Sequence, residues 1–584
     1  MRKWILAALP LAALAACATP PESGANRTNS SASKSSPVDG QCPGADASSA
    51  VVVTGSRVSR PQLSAPSPVA RVDSEQLNLK GAVKSEQFSS ALPPASASPP
   101  PEPQITEQYE KTDPNPVKLT TEEPVSTFSS DVDTTAYSVM RRYISSNNQL
   151  PPSDSVRVEE YVNYFDYQYT EPKSADAPFA PTIWVTPSPW NAGTRLLHIG
   201  VKGYDLKPET TPDANIVLLL DVSGSMQAEN KLPLVKKSVE LLVDEMSKDD
   251  RIAIVVYAGA AGVVLEPTPG NRKTKIIAAL NCLEAGGSTA GGEGLALAYK
   301  LAEENFAKDK VNRIILASDG DFNVGVVDAD SLEDFVARKR KTGIYLTILG
   351  FGEGNYNDVI AQKLAQAGNG AAAYIDTLNE ARKVLVREFR STLFPIAKDL
   401  KFQVEFNPAV VAEYRLIGYE TRLLNREDFN NDAIDAGDIG SGHTVTALYE
   451  LALVGSTSLI DDLRYQPREV PTKVSDEWAF VRLRYKLPGE ETSRLIEVPY
   501  TGVDPILEPN LAKRHAPAHK DADFAAAVAA FGQKLQRAGY TDRYSYDEII
   551  ALAQSAKSDD PYGDRAEFIN LVRAAAKIDA DQKD

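Results

Sequence analysis

The sequence predicts an α/β protein, with a central open parallel sheet covered by helices on both faces, β-rich segments on either side and a helical C-terminal tail. Three observations carry this. Ile216-Val217-Leu218-Leu219-Leu220 is an unbroken apolar run, the pattern of a parallel strand buried on both faces. Strand-like and helix-like stretches then alternate, as in successive βαβ units. Past Leu400 the alternation gives way to strand-like segments separated by acidic loops.

At the N-terminus, Arg2 and Lys3 precede the apolar run Trp4 to Ala16, which is too short to span a bilayer as a helix and reads as an export leader. The run closes on Leu14-Ala15-Ala16-Cys17, which resembles the lipobox of bacterial lipoproteins; the resemblance implies cleavage after residue 16 and a lipid on Cys17. Ala18, where the Gram-negative sorting pattern has Asp to retain a protein at the inner membrane, favours a lipid-anchored place in the cell envelope at the outer membrane. A plain secretory signal is the alternative. No later stretch approaches the roughly 18 apolar residues of a transmembrane helix.

Residues 17–124 are rich in Ser, Ala and Pro and are expected to form a disordered stalk, because such a segment buries too little apolar surface to offset its ordering entropy. Within it, Val51-Val52-Val53-Thr54-Gly55-Ser56-Arg57, with Pro66 to Val69 and Val72-Asp73, resembles the opening of the plug domain of TonB-dependent receptors. The rest of a plug does not follow, and an incidental short strand is the other reading.

Residues 125–211 are expected to form an α+β flank, with a helix around Met140 to Ile144, helical spacing over Val156 to Phe165, and strands at Thr182 to Thr186 and Leu196 to Val201. The central unit, residues 212–394, continues from its first strand into a helix with Leu232, Val235, Val239, Leu242, Val243 and Met246 on one stripe. Strands at Ile252 to Tyr257, Arg313 to Ala317 and Tyr345 to Gly350 alternate with helices at Lys273 to Leu283, Gly294 to Phe306, Leu332 to Lys341 and from Val359. The β-rich segment 395–510 contributes Lys401 to Phe406, Thr444 to Ala452 and Trp478 to Tyr485, and the tail 511–584 contributes helices at Asp523 to Ala538, Tyr546 to Ala556 and Arg565 to Ala575. Each flank alone supplies few strands and would expose its edges, so the strands before and after the central unit are expected to pair with each other.

Ligands of open α/β sheets bind beyond the carboxyl ends of the strands. Asp221-Val222-Ser223-Gly224-Ser225 and Ser318-Asp319-Gly320-Asp321 follow strands there, and Gly286-Gly287-Ser288-Thr289 lies between two helices. Together they resemble the metal-ion-dependent adhesion site of von Willebrand factor type A (vWA) and integrin I domains, which implies a Rossmann-like vWA fold. In that pattern the hydroxyls of Ser223, Ser225 and Thr289 coordinate Mg²⁺, or Ca²⁺ or Mn²⁺, directly, while Asp221 and Asp319 act largely through bound waters. A protein partner supplies an Asp or Glu carboxylate. Oxygen donors of this kind suit a hard cation. The alternative is that the serines merely cap the following helix.

The blocks Asp131 to Tyr137, Val158 to Phe165 and Asp435 to Tyr449 further resemble a bacterial lipoprotein family with uncharacterised segments on both sides of its vWA domain.

Other functions find less support. The formal net charge of −17 becomes −19 once Arg2 and Lys3 leave with the leader, which disfavours nucleic acid as a partner. No catalytic residue is expected: Gly286-Gly287-Ser288-Thr289-Ala290 departs from the nucleophile elbow of hydrolases in ending on Ala and in not lying between a strand and its helix, and His198 and His443 read as lone histidines of the kind that more often make a structural hydrogen bond than act as a base. Asp319, Asp321, Asn323 and Asp330 have EF-hand-like spacing but Val324 where the loop needs Gly, and the acidic loop Asp428 to Asp438 is a second candidate for Ca²⁺. A structural envelope protein with a vestigial metal site is the remaining alternative. Of the three cysteines, Cys42 and Cys282 are free to pair in an oxidising compartment.

Overall fold

The computed structural model describes residues 107–130, 133–207, 212–287, 291–320, 329–388, 393–461, 464–465, 475–502 and 519–582. The leader, Cys17, the plug-like segment and Thr289 lie outside them, as does Asp321.

The central sheet is built from β5 (Ala214–Asp221), β6 (Arg251–Tyr257), β7 (Ala261–Pro269), β8 (Val311–Ser318), β9 (Ile344–Phe351) and β10 (Ala372–Ile375), in the order β10-β9-β8-β5-β6-β7. Every residue of β5 is buried, for the reason its sequence gives: alternate side chains face two different cores. Ile216, Leu218 and Leu220 join Val235, Val239 and Leu242 of α3 (Leu232–Glu245) and Ile276 and Leu280 of α4 (Lys273–Asn281). Val217 and Leu219 point the other way, toward Leu295 and Tyr299 of α5 (Gly291–Glu304), Val336 of α6 (Ala329–Arg340) and Leu364 of α7 (Asp358–Ala367).

One strand departs from the parallel expectation, since β7 pairs antiparallel with β6 at the sheet edge. Its sequence, AGVVLEPTP, carries two prolines that cannot donate to a ladder, and most of its residues are partly or fully exposed, so it lacks the pattern of a buried strand.

Around this unit the chain builds a two-sheet module from both flanks. One sheet has the order β1-β12-β14-β4-β3, from β1 (Lys118–Leu119), β12 (Val411–Ile417), β14 (Thr444–Leu453), β4 (Arg195–Gly203) and β3 (Phe179–Pro187). The other runs β13-β11-β15-β16, from β13 (Gly437–Gly440), β11 (Pro395–Phe406), β15 (Glu477–Lys486) and β16 (Arg494–Thr501), with β2 (Val125–Ser129) also on β11. The strands before and after the vWA unit do pair: β4 with β14, from Lys202 opposite Thr444 to Arg195 opposite Leu451, and β2 with β11. Phe406 stacks on Tyr414 at 4.3 Å and Phe179 meets Tyr485 edge-on at 5.0 Å, each pair joining the two sheets across one core.

The C-terminal helices are not a free tail. α9 (His519–Gln536), α10 (Tyr546–Ser555) and α11 (Asp564–Asp581) share a core with α1 (Thr135–Ser145) and α2 (Val158–Asn163), in which Phe165 packs edge-on against Phe524 and Phe568. Order also starts earlier than Val125, contrary to a stalk reaching residue 124. Glu107 is gripped by both terminal nitrogens of Arg142, each at 2.6 Å, and Asn115 donates to the Gly418 carbonyl at 2.7 Å. These are polar contacts to distant residues, which leave no hydrophobic period in the local sequence.

Candidate metal centre

The strand order reverses at β5, whose neighbours β8 and β6 lead to opposite ends of the sheet, and this is where an open α/β sheet leaves a crevice for a ligand. Asp221 ends β5 and is fully buried. The Ser223 N–H donates to its Oδ1 at 2.8 Å and the Ser318 hydroxyl approaches its Oδ2 at 3.4 Å, which fixes the carboxylate. The hydroxyls of Ser223 and Ser225 lie 3.0 Å apart. Met226 is buried just beyond them and anchors the turn, while Gly224 and Ser225 are exposed.

The glycine loop is docked on this turn by two backbone bonds. Gly286 N–H donates to the Val222 carbonyl at 2.8 Å, and Gly224 N–H donates to the Gly287 carbonyl at 3.0 Å. Gly287 has φ +87°, a conformation that costs a residue with a side chain but not glycine.

Asp319, one residue past β8, is likewise fully buried. Its Oδ2 accepts from the ammonium of Lys231 at 2.9 Å, and Ser225 and Asn355 hydrogen-bond to it as well. Burial alone would raise the Asp319 pKa, but the Lys231 ammonium and these bonds more than offset it and hold the carboxyl below its ordinary value. Asp221 goes the other way: burial, helped by the charge of Asp319, raises it despite its bonds to Ser223.

Four of the five metal residues read from the sequence, Asp221, Ser223, Ser225 and Asp319, therefore converge; Thr289 lies outside the described residues, two positions after the docked Gly287. The donor set fits a divalent hard cation. Its atoms are carboxylate and hydroxyl oxygens, and among the described residues two buried carboxylates face one lysine, which leaves a negative balance for a cation to neutralise. Sequence reasoning missed Lys231. It occupies the N-cap position of α3 without a side-chain capping bond, and its partner lies 88 positions away, so the local sequence carries no signal of the pairing.

The rival calcium loop is occupied by protein cations. Asp432 accepts from Arg484 at 2.9 Å and Asp435 from Arg340 at 2.6 Å, while burial pushes the Asp438 pKa up to about 7 against the pull of Lys398. The expected lone histidine on a strand, His198, is fixed by Thr186 at 3.1 Å and stacks on Trp184.

This sheet and its terminal motif define a von Willebrand factor type A domain, and the family model of that description matches residues 215–386. A second, described as von Willebrand factor, matches 103–198, and a third, described as uncharacterized protein YfbK, C-terminal, matches 391–578. The uncharacterized protein YfbK of Escherichia coli is 46% identical over 478 residues, covering 80% of this chain and 81% of that one. The chain belongs to the YfbK family. The uncharacterized protein sll0103 of Synechocystis is 32% identical over 167 residues, covering 29% of this chain and 39% of that protein. Among solved structures, a von Willebrand factor type A protein from Catenulispora acidiphila is 18% identical with a TM-score of 0.38, covering 65% of this chain and 87% of that one.

Proposed function

We propose that this protein is a lipid-anchored envelope lipoprotein that binds a protein partner through a divalent cation at the vWA site. The observation that carries the reading is the convergence of Asp221, Ser223, Ser225 and Asp319 at the switch point of the sheet. Ser223, Ser225 and Thr289 would hold the ion by hydroxyl oxygens, with Asp221 and Asp319 balancing its charge. A Mg²⁺-class ion held this way supplies an electrophilic position open to an Asp or Glu carboxylate from the partner. The protein's own role is to bury and fix both carboxylates, with the Lys231 ammonium favouring the ionised form of Asp319. Because the chain is strongly acidic, the donated carboxylate belongs on a neutral or basic patch of the partner. The reading is one of binding without catalysis.

The test joins calorimetry to affinity capture from membranes. Mg²⁺ or Mn²⁺ should bind the wild-type chain, Asp221→Ala and Thr289→Ala should abolish both metal binding and partner capture, and EDTA should reproduce the loss. Undiminished capture of the same partner in EDTA and by both variants would move binding off this site.

Export is supported independently, because Cys282 is disulfide-bonded and such bonds persist in oxidising compartments. Cys17→Ser is expected to shift the protein from the membrane to the soluble or unprocessed fraction; an unchanged distribution on fractionation would exclude the lipid anchor.

A further inference from the structure

We propose that Lys231 is a resident counter-ion that competes with the divalent cation for Asp319, and so sets the metal affinity of the vWA site while keeping the metal-free domain stable. The inference rests on the reading of that site as a cation site. It begins with a cost: a carboxylate with no exposed surface is expensive to keep ionised without a partner. Asp319 is in that position, and Lys231 meets it at 2.9 Å with only 11% of its own side chain exposed.

The lysine is held there by shape as well as charge. Its stem crosses the backbone at Gly352, where a Cβ would lie 2.3 Å from the lysine Cε and 2.5 Å from its Cγ. Gly352 also has φ +74°, so both the turn and the passage of the stem call for glycine. The stem thus runs in a slot that ends on Asp319. Its backbone, meanwhile, sits at the N-terminus of α3, where the helix dipole opposes a positive charge. A lysine placed against the local field and led through a glycine slot to a buried carboxylate is there for that carboxylate.

Two carboxylates with one ammonium leave a single negative charge, and two carboxylates with one divalent ion are balanced. With both cations present these groups carry one excess positive charge around two buried carboxylates, where repulsion at a few ångströms is large. Metal loading must therefore displace the ammonium from Asp319 or bind against its repulsion. Either way the lysine lowers the affinity, and without metal it prevents Asp319 from standing alone.

The experiment measures Mg²⁺ and Mn²⁺ binding by calorimetry, and thermal unfolding in EDTA, for the full chain and for Lys231→Met, Lys231→Gln and Lys231→Arg. The methionine variant keeps the stem and loses the charge, and should bind metal about tenfold more tightly or better while unfolding at a lower temperature in EDTA. That temperature should recover on adding metal. The glutamine variant retains a donor for Asp319, which protects the metal-free fold, and should also bind more tightly. Arginine keeps the charge and should stay within about threefold of the wild type. If wild type binds metal and both uncharged variants bind no more tightly, Lys231 is not a competitor and the metal site stands without it. If neither wild type nor any Lys231 variant binds metal, the cation reading falls and takes this inference with it.

Discussion

Replacing Arg141 with alanine is expected to destabilise the protein by about 3–5 kcal/mol, the range for removing one partner of a buried ionic cluster. Arg141 lies on α1, and its guanidinium reaches three separate parts of the chain. It donates from Nε to Asp376 Oδ2 at 2.8 Å and from Nη2 to Glu380 Oε2 at 2.7 Å, both just past the last strand of the vWA sheet. Nη1 donates to Tyr164 at 2.9 Å and to Glu567 of α11 at 3.1 Å. The arginine, Asp376 and Glu380 are buried, so its loss leaves two carboxylates in the interior with their main counter-charge gone. Burial already raises the Asp376 pKa even with the arginine present. Urea unfolding checks the figure, and adding Asp376→Asn and Glu380→Gln to Arg141→Met should recover much of the loss. A cost below about 1 kcal/mol for the single variant would place the hold between the vWA domain and its flanks elsewhere. Lysine is a poor replacement, because it lacks the planar fork that meets several acceptors at once.

Glu159→Gln is expected to stabilise the protein, and to do so more at pH 8 than at pH 5. Glu159 lies on α2, is 3% exposed, and has one carboxyl oxygen without a hydrogen-bond partner. Burial, reinforced by the charges of Glu420 and Glu160, pushes its pKa up to about 8 from 4.5. The folded chain therefore binds more protons than the unfolded chain between those values. Stability then falls as pH rises through the window, by up to about 1.4 kcal/mol per unit from this one group. Glutamine has the shape of the protonated acid and carries no such penalty. Unfolding midpoints of both proteins at pH 5 and pH 8 decide it: an equal difference at the two values would show that Glu159 ionises in the fold without cost.

The sheet was legible because its strands are apolar on both faces and its helices carry one stripe each, as Ile216 to Leu220 and Leu232 to Met246 show. The edges were not. β7 is largely exposed and β10 has only four residues, so neither carries a pattern that separates it from a loop, while β16 has the alternation of a half-buried strand, Ile496, Val498 and Tyr500 against Glu497, Pro499 and Thr501, a signal that sequence reasoning missed. The grouping of Asp221, Ser223, Ser225 and Asp319 was legible because each follows a strand in a short contiguous motif. Lys231 was not, since the carboxylate it meets lies 88 positions away, and no local pattern says which acid a lysine will find. The same holds for Arg141, whose partners on the vWA domain and α11 lie 235 to 426 positions further on. Sequence periodicity reports which face of an element is buried; it does not report which charges meet across the interior.

The pairing of β4 with β14 has a consequence for the order in which the protein assembles. The vWA strands are joined by short connections and can close as soon as that stretch is available, whereas β4 must wait for a strand that begins some 240 positions later. Contacts of such long sequence separation form slowly, because the intervening chain must first be brought into place. During synthesis, β2, β3 and β4 emerge with unpaired edges and remain so until the C-terminal part arrives, a state open to misassociation. Of the four tryptophans, Trp4 lies in the N-terminal run outside the described residues; Trp184, Trp190 and Trp478 all belong to the late-closing part and none to the vWA domain, so fluorescence from these three follows closure of the flanks and is blind to the folding of the domain they enclose.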